Sequence, residues 1–180
     1  EDISNSHDFV VFDTSIVLGL DGNRRGDFSL NKVENVFKFC SNLMTVQEVL
    51  EECPSYTHSY LRNLVIHPSR YGGTFHDVYL FLRPRAVEAG VVDMKKRNPY
   101  TDLYLAAMAL TIAHKSRSSQ STAFVSSDRV LNNLVCDARD DLLEGSGRYV
   151  LSLNRLDIYS FVQKKGIFIP FEEERARDLV

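Results

Sequence analysis

The sequence predicts an α/β fold, a three-layer sandwich around a mainly parallel central sheet. Three observations carry this expectation. Short continuous apolar runs, Phe-Val-Val-Phe at 9–12 and Ala-Phe-Val at 123–125, have the character of strands buried on both faces. Longer stretches with helical spacing alternate with them, as in α/β folds. Acidic residues fall at the ends of these runs, where a parallel sheet opens its crevice.

Taken in order, the strand at 9–12 ends in Asp13-Thr14-Ser15, and the glycines and charges of 21–31 read as a loop. Val33, Val36, Phe37 and Cys40 recur at helical spacing. Leu43-Met44 suits a second short strand, with Thr45 near the N-cap of a helix over 46–53 that Pro54 interrupts. Apolar residues resume near Leu61, and 67–73 is loop-like. A helix is expected over 76–87, limited by Pro84. Residues 93–99 form a polar, basic connector. The Ala-rich stretch from Pro99 to His114 is the strongest helix signal, with Asn98 or Thr101 as cap and Pro99 in the first turn. A Ser-rich loop covers 115–121. After the strand at 123–125, Val130, Leu131 and Leu134 mark another helix. Tyr149-Val150-Leu151 reads as a fourth strand, and Asn154 as the cap of a helix reaching Val162 and ended by Gly166. Residues 9–170 are expected to form a single domain, with 1–8 and 171–180 as flexible or peripheral termini.

The chain has 180 residues, 44% hydrophobic and 25% charged, the composition of one globular domain with a sizeable core. Its net charge of −3 excludes a passive nucleic-acid coat, which is usually strongly basic. It leaves room for an enzyme that gathers its acids in one site. The three cysteines, Cys40, Cys53 and Cys136, have no C-x-x-C spacing and apolar neighbours. They read as reduced core residues, which implies an intracellular protein, cytoplasmic or nuclear. No apolar run is long enough for a bilayer, and the acidic, polar opening is unlike a signal peptide. A start at Glu1 fits a domain taken from a longer chain.

Four acids stand out. Asp13 follows the first strand, Glu52 lies in the helix after the second, Asp102 opens the Ala-rich helix, and Asp128 follows the third strand. In a parallel sheet all four project toward one edge, where their mutual repulsion calls for a cation. Oxygen ligands without a His or Cys cluster suit Mg²⁺ or Mn²⁺. Each acid also has an ordinary reading: Asp13 as a turn residue, Asp102 and Asp128 as helix N-terminal acids, Glu52 as a solvated glutamate. Glu48, Glu51 and Glu52 compete for the second position. Glu52 borders the apolar stripe of Val46, Val49, Leu50 and Cys53, with Glu48 the alternative one turn earlier.

The contexts of these acids resemble the PIN-domain family of metal-dependent nucleases, related to flap nucleases. Phe-Asp-Thr-Ser-Ile-Val (12–17) is similar to the first motif of that family, and Thr45–Cys53 to the second. Asp-Leu-Tyr-Leu-Ala-Ala-Met-Ala (102–109) is similar to the third, and Phe-Val-Ser-Ser-Asp-Arg-Val-Leu (124–131) to the fourth. The ordered set covers residues 9–135, and about 150 with the last strand. The resemblance implies a PIN-like fold and hydrolysis of phosphodiester bonds in single-stranded RNA. Asp13, Glu52, Asp102 and Asp128 would be both catalytic and metal-ligating, with Mg²⁺ or Mn²⁺ as cofactor. Ser15 and Ser126 would orient the carboxylates. A homodimer or a larger protein complex is compatible with it. The chain departs from the family in having Ser127 where many relatives place a further acid, and in a long region between Pro54 and Asp93 that sets it apart from the toxin branch.

Lys95, Lys96, Arg97 and Arg129 lie near the acids in sequence and suit phosphate contacts, or else a solvated loop and an ion pair. Tyr100 and Tyr104 suit base stacking or packing. His58, His67 and His76 have no metal-ligand spacing. The main alternative is a PIN-like module with little catalysis, serving as an RNA- or protein-binding scaffold. A haloacid-dehalogenase-type phosphatase needs a second Asp where Ser15 stands, and is discarded.

Overall fold

A computed structural model describes residues 3–20, 42–143, 151–162, 165 and 167–179. The predicted α/β class is present: five strands form one sheet in the order β2-β1-β3-β4-β5. These are β1 (Phe9–Phe12), β2 (Leu43–Met44), β3 (Thr122–Ser126), β4 (Leu156–Val162) and β5 (Ile167–Pro170). The first four pair in parallel, and β5 closes the edge antiparallel to β4. Helices are α1 (Ile3–Ser6), α2 (Thr14–Leu20), α3 (Gln47–Glu52), α4 (His58–Leu61), α5 (Gly73–Glu88), α6 (Thr101–Lys115), α7 (Arg129–Leu143) and α8 (Phe171–Asp178).

Apolar content explains the layering. All five residues of β3 and three of four in β1 are buried, which requires cover on both faces and is compatible with a three-layer sandwich. Eleven residues of α6 are buried, several of them Ala, so this helix approaches the sheet closely and packs on β1, β3 and β4. The chain passes from β1 to β2 on one side, then returns to β3 on the other. Strand order therefore reverses between β1 and β3. Beyond the carboxyl ends of strands at such a reversal lies the crevice where α/β proteins bind ligands.

Several expectations need correction. Thr45 does not cap α3; it is buried, bridges to Val65 and donates its hydroxyl to the Phe12 carbonyl (3.0 Å), while Val46 holds the N-cap position. Neither Asn98 nor Thr101 caps α6, which starts at Thr101, beyond Pro99. Tyr100 is its N-cap, and Thr101 Oγ1 donates back to the Asn98 carbonyl (3.1 Å). Pro84 does not limit α5, which runs through it. Pro84 faces solvent, so the carbonyl freed by its missing N–H can be hydrated.

The largest miss is the helix expected from Asn154 to Val162, where β4 stands. Asn154 donates to the Ser116 carbonyl (2.7 Å) instead of capping. Leu156, Ile158, Ser160 and Val162 alternate with Asp157, Tyr159 and Phe161, and the β-branched and aromatic content favours a strand. Leu151 lies in irregular chain, and the other residues of the fourth strand expected there, Tyr149 and Val150, are outside the described residues. So are the loop over 21–31, the helical spacing from Val33 to Cys40, and Gly166. The termini expected at the periphery each carry a buried anchor, Ile3 in α1 and Phe171 in α8. No helix among the described residues is long and apolar enough to cross a membrane.

Candidate functional site

Register brings the first acid to its partners. Phe12 lies opposite Val125, and the Asp13 amide continues the ladder to the Val125 carbonyl (3.3 Å). Asp13 therefore stands beside Ser126, at the carboxyl ends of the two strands where the order reverses. It is buried. Ser15 Oγ donates to one carboxylate oxygen and Ser126 Oγ to the other. Each hydroxyl in turn accepts a backbone amide, Ser15 from Ser127 (3.0 Å) and Ser126 from Asp128 (2.9 Å). This crossed pair ties the end of β1 to the loop after β3 and fixes the carboxylate plane. One hydrogen bond on each oxygen leaves acceptor capacity on both.

Asp102 sits in the first turn of α6, with its side chain 20% exposed and Lys96 Nζ at 3.8 Å. Asp128 is exposed and caps α7, its Oδ1 accepting from Val130 (2.8 Å) and Leu131 (3.2 Å). The ordinary cap reading of Asp128 is thus present in the structure, and the cap engages only Oδ1, leaving Oδ2 outside it. Glu52 ends α3, is exposed, and accepts the Thr14 hydroxyl at 2.6 Å, directly beside Asp13.

The three glutamates of α3 separate by partner. Glu52 turns to Thr14, Glu51 accepts from Asn98 (3.1 Å), and Glu48 influences Tyr104. Among them, Glu52 is the one whose charge reaches Asp102.

Electrostatics links the acids. Burial raises the Asp13 pKa to about 6, against the lowering hydrogen bonds of Ser126 and Ser15, and the charges of Asp102 and Asp128 raise it further. Asp102 is likewise raised to about 6, first by burial, with Lys96 lowering it and Asp128 and Glu52 raising it. The larger part of both shifts is burial, and the charges of the neighbouring acids add to it.

No three of these four acids bring their oxygens within 4.8 Å of one another; among the described residues only Cys136, Asp140 and Glu172 form such a group. The structure therefore does not gather three of these carboxylates tightly enough to ligate one ion together, and an ion held here would take the rest of its shell from water. The donor set fits: it is all oxygen. The Cys53 thiol is pushed up to about 12 by burial and by Glu52 and Asp13, so it stays protonated.

The Cys136 group is a poor metal site by contrast. Arg139 donates to Asp140 (2.8 Å), to Glu172 and to Cys136 Sγ (3.4 Å), and Arg175 donates to the same sulfur (3.2 Å). Two guanidinium groups already supply the positive charge there, and the network serves to bind α8 to α7.

The remaining candidates are placed as follows. Lys95, Lys96 and Arg97 are exposed on the connector, and Lys96 and Arg97 line a cleft of about 280 Å³ with Glu51, Glu52 and Asn98. Arg129 is engaged by Asp178 of α8, the ion-pair alternative to a phosphate contact. Tyr104 packs with Phe75 and Tyr79 at centroid distances of 6.2 and 5.4 Å, an intramolecular aromatic cluster.

Sequence reasoning missed Thr14, Asn98 and Asn132. Buried Asn132 donates to the Ser126 carbonyl (3.1 Å) and to Ser160 (3.2 Å), holding the β3 end from behind. Thr14 was visible next to Asp13; the other two depend on contacts that no local pattern announces.

Replacing Ser126 with Ala removes one Asp13 donor and leaves the Asp128 amide without its acceptor. The expected loss is about 1–3 kcal/mol in stability. Any activity that depends on Asp13 is expected to fall about 10- to 100-fold, read from denaturation and turnover of the same preparation.

No family model matches the chain, and no curated protein or solved structure matches it either.

Proposed function

We propose that this chain is a divalent-cation-dependent endoribonuclease of the PIN type, hydrolysing single-stranded RNA. The observation that carries this reading is Asp13. It is a buried carboxylate at the strand-order reversal, oriented by two hydroxyls and within electrostatic reach of Asp102 and Asp128. Burial and the neighbouring acids make the ionised form of Asp13 costly, a cost that a bound cation would offset.

Asp13, Asp102 and Asp128 would hold Mg²⁺ or Mn²⁺, directly or through water, and Glu52 would serve a second ion or position the attacking water. The ion supplies activation of water and offsets negative charge developing on the phosphate. The protein's own part is orientation. Ser15 and Ser126 fix the Asp13 plane, the helix start fixes Asp102, and the cap fixes Asp128. Lys95, Lys96 and Arg97 offer positive charge to the strand beside the cut. Direct attack by water, with no covalent intermediate, is the step this reading proposes.

The test is cleavage of a labelled single-stranded RNA with Mn²⁺ and with chelator. Cleavage is expected with Mn²⁺, none with chelator, and a fall as pH drops through about 6, where protons compete with the ion at Asp13 and Asp102. RNA binding without cleavage at any pH would favour the scaffold reading instead.

A further inference from the structure

The connector between α5 and α6 is held in place at both ends. Asp93 accepts the Lys95 amide on its side chain (2.9 Å) and the Lys96 amide on its carbonyl (3.1 Å), which sets a tight turn under the basic residues. At the far end, Asn98 donates to Glu51 of α3 and accepts from Thr101 of α6. The segment thus bridges the two helices that carry Glu52 and Asp102. This arrangement delivers Lys96 to Asp102 at 3.8 Å, at the mouth of the cleft that Arg97 continues. The lysine side chain is 54% exposed and the aspartate 20%, so the ammonium lies on the solvent side of the acid. Among the described residues it is the one cation paired with a member of the tetrad; Arg129, the other candidate, is engaged by Asp178.

We propose that Lys96 is a resident counter-ion of the acid cluster that exchanges with the divalent cation. In the ion-free protein its ammonium rests on Asp102. When the ion is held, the flexible side chain is displaced and turns to a phosphate of the RNA strand in the adjoining cleft. This rests on the nuclease reading above. A lysine suits the task better than an arginine, since it is a point charge on a mobile stem with no bidentate grip on the carboxylate. The same group then serves twice, lowering repulsion among the acids before the ion arrives and holding the strand afterwards.

Exchange makes a specific pair of opposite effects. In Lys96→Met the ion no longer competes with an ammonium, and Mn²⁺ affinity measured by titration calorimetry is expected to rise about two- to fivefold, the scale of an exposed ion pair. The Michaelis constant for single-stranded RNA at saturating Mn²⁺ is expected to rise with kcat little changed. The slope of log(kcat/KM) against log salt is expected to become shallower by about 0.7, one phosphate contact on a single strand. Lys115→Met, at the end of α6 opposite Asp102, removes the same charge and is expected to change neither quantity comparably. Mn²⁺ affinity that is unchanged or weaker in Lys96→Met, with binding intact in the wild type, overturns the exchange and leaves the acid site standing. Tighter Mn²⁺ binding with an unaltered salt slope overturns the move to phosphate. Absence of Mn²⁺ binding in both proteins overturns the exchange together with the nuclease reading.

Discussion

Asp13→Asn is expected to lower Mn²⁺-dependent cleavage by at least about 10²-fold while making the ion-free protein more stable at neutral pH. The loss follows from removing the most enclosed charge of the proposed site, which as a ligand would be worth several kcal/mol in water-excluded surroundings. The gain follows from linkage. Asp13 has its pKa raised from 3.8 to about 6, so the folded state binds its proton more tightly than the unfolded chain. The resulting penalty is absent below about pH 4, grows between about 4 and 6, and is fully present above 6. A shift of that size corresponds to about 3 kcal/mol. Asn has the same shape and keeps an acceptor for one hydroxyl, but its uncharged hydrogen bonds are weaker, so the net gain is about 1–2 kcal/mol. For a chain of this length that is a rise in Tm of roughly 3–6 °C. The advantage of the variant is expected to disappear between pH 6 and pH 4 and to reverse by about 1 kcal/mol at pH 4, where only its weaker hydrogen bonds remain; millimolar Mn²⁺ is expected to stabilise the wild type more than the variant. Equal melting of the two proteins at pH 7.5 without added ion would contradict the picture of a strained acid cluster.

Phe171→Ala is expected to cost about 3–5 kcal/mol, the usual cost of emptying a fully buried aromatic site. Phe171 is fully buried, and the Arg175 guanidinium lies 5.7 Å from its ring centroid. The ring is the apolar anchor of α8. Through α8 run the pairs Arg139–Glu172, Arg175–Asp137 and Arg129–Asp178, and the hydrogen bond between Ser160 and Glu174. Those surface pairs contribute little singly, so the ring decides whether α8 stays docked. Chemical denaturation measures the effect directly. A cost below about 1 kcal/mol would mean that the C-terminal helix is an appendage, as its charged sequence suggests.

The two central strands were legible because both faces of each are covered, which turns β1 and β3 into short apolar runs. Asp13, Ser15 and Ser126 were legible because a strand end and the next two or three residues are local in sequence. β4 was not, because Asn154 imitates a helix cap and the alternation from Leu156 to Val162 is blurred by buried Tyr159 and Phe161 on the second face. Thr45 was misjudged for a similar reason: a hydroxyl before a helix looks like a cap until the fold places the Phe12 carbonyl beside it. Glu52 was preferred to Glu48 and Glu51 on helix face and on the register of the motif it resembles; in the structure Glu52 accepts from Thr14 and Glu51 from Asn98. The delivery of Lys96 to Asp102 and the support of Ser126 by Asn132 lay beyond any local pattern. Each pair is only six residues apart, and what brings it together is the turn of the connector or the start of α7, which no propensity or period announces.

The central claim is that Asp13, Glu52, Asp102 and Asp128 act as one cation site for phosphodiester hydrolysis. Its most direct test is the initial rate of Mn²⁺-dependent cleavage of a labelled single-stranded RNA by the wild type, Asp13→Asn and Asp102→Asn, with folding verified for each. Robust cleavage by the wild type and a loss of at least about 10²-fold in both variants is the predicted result. Equal rates in all three proteins would contradict it.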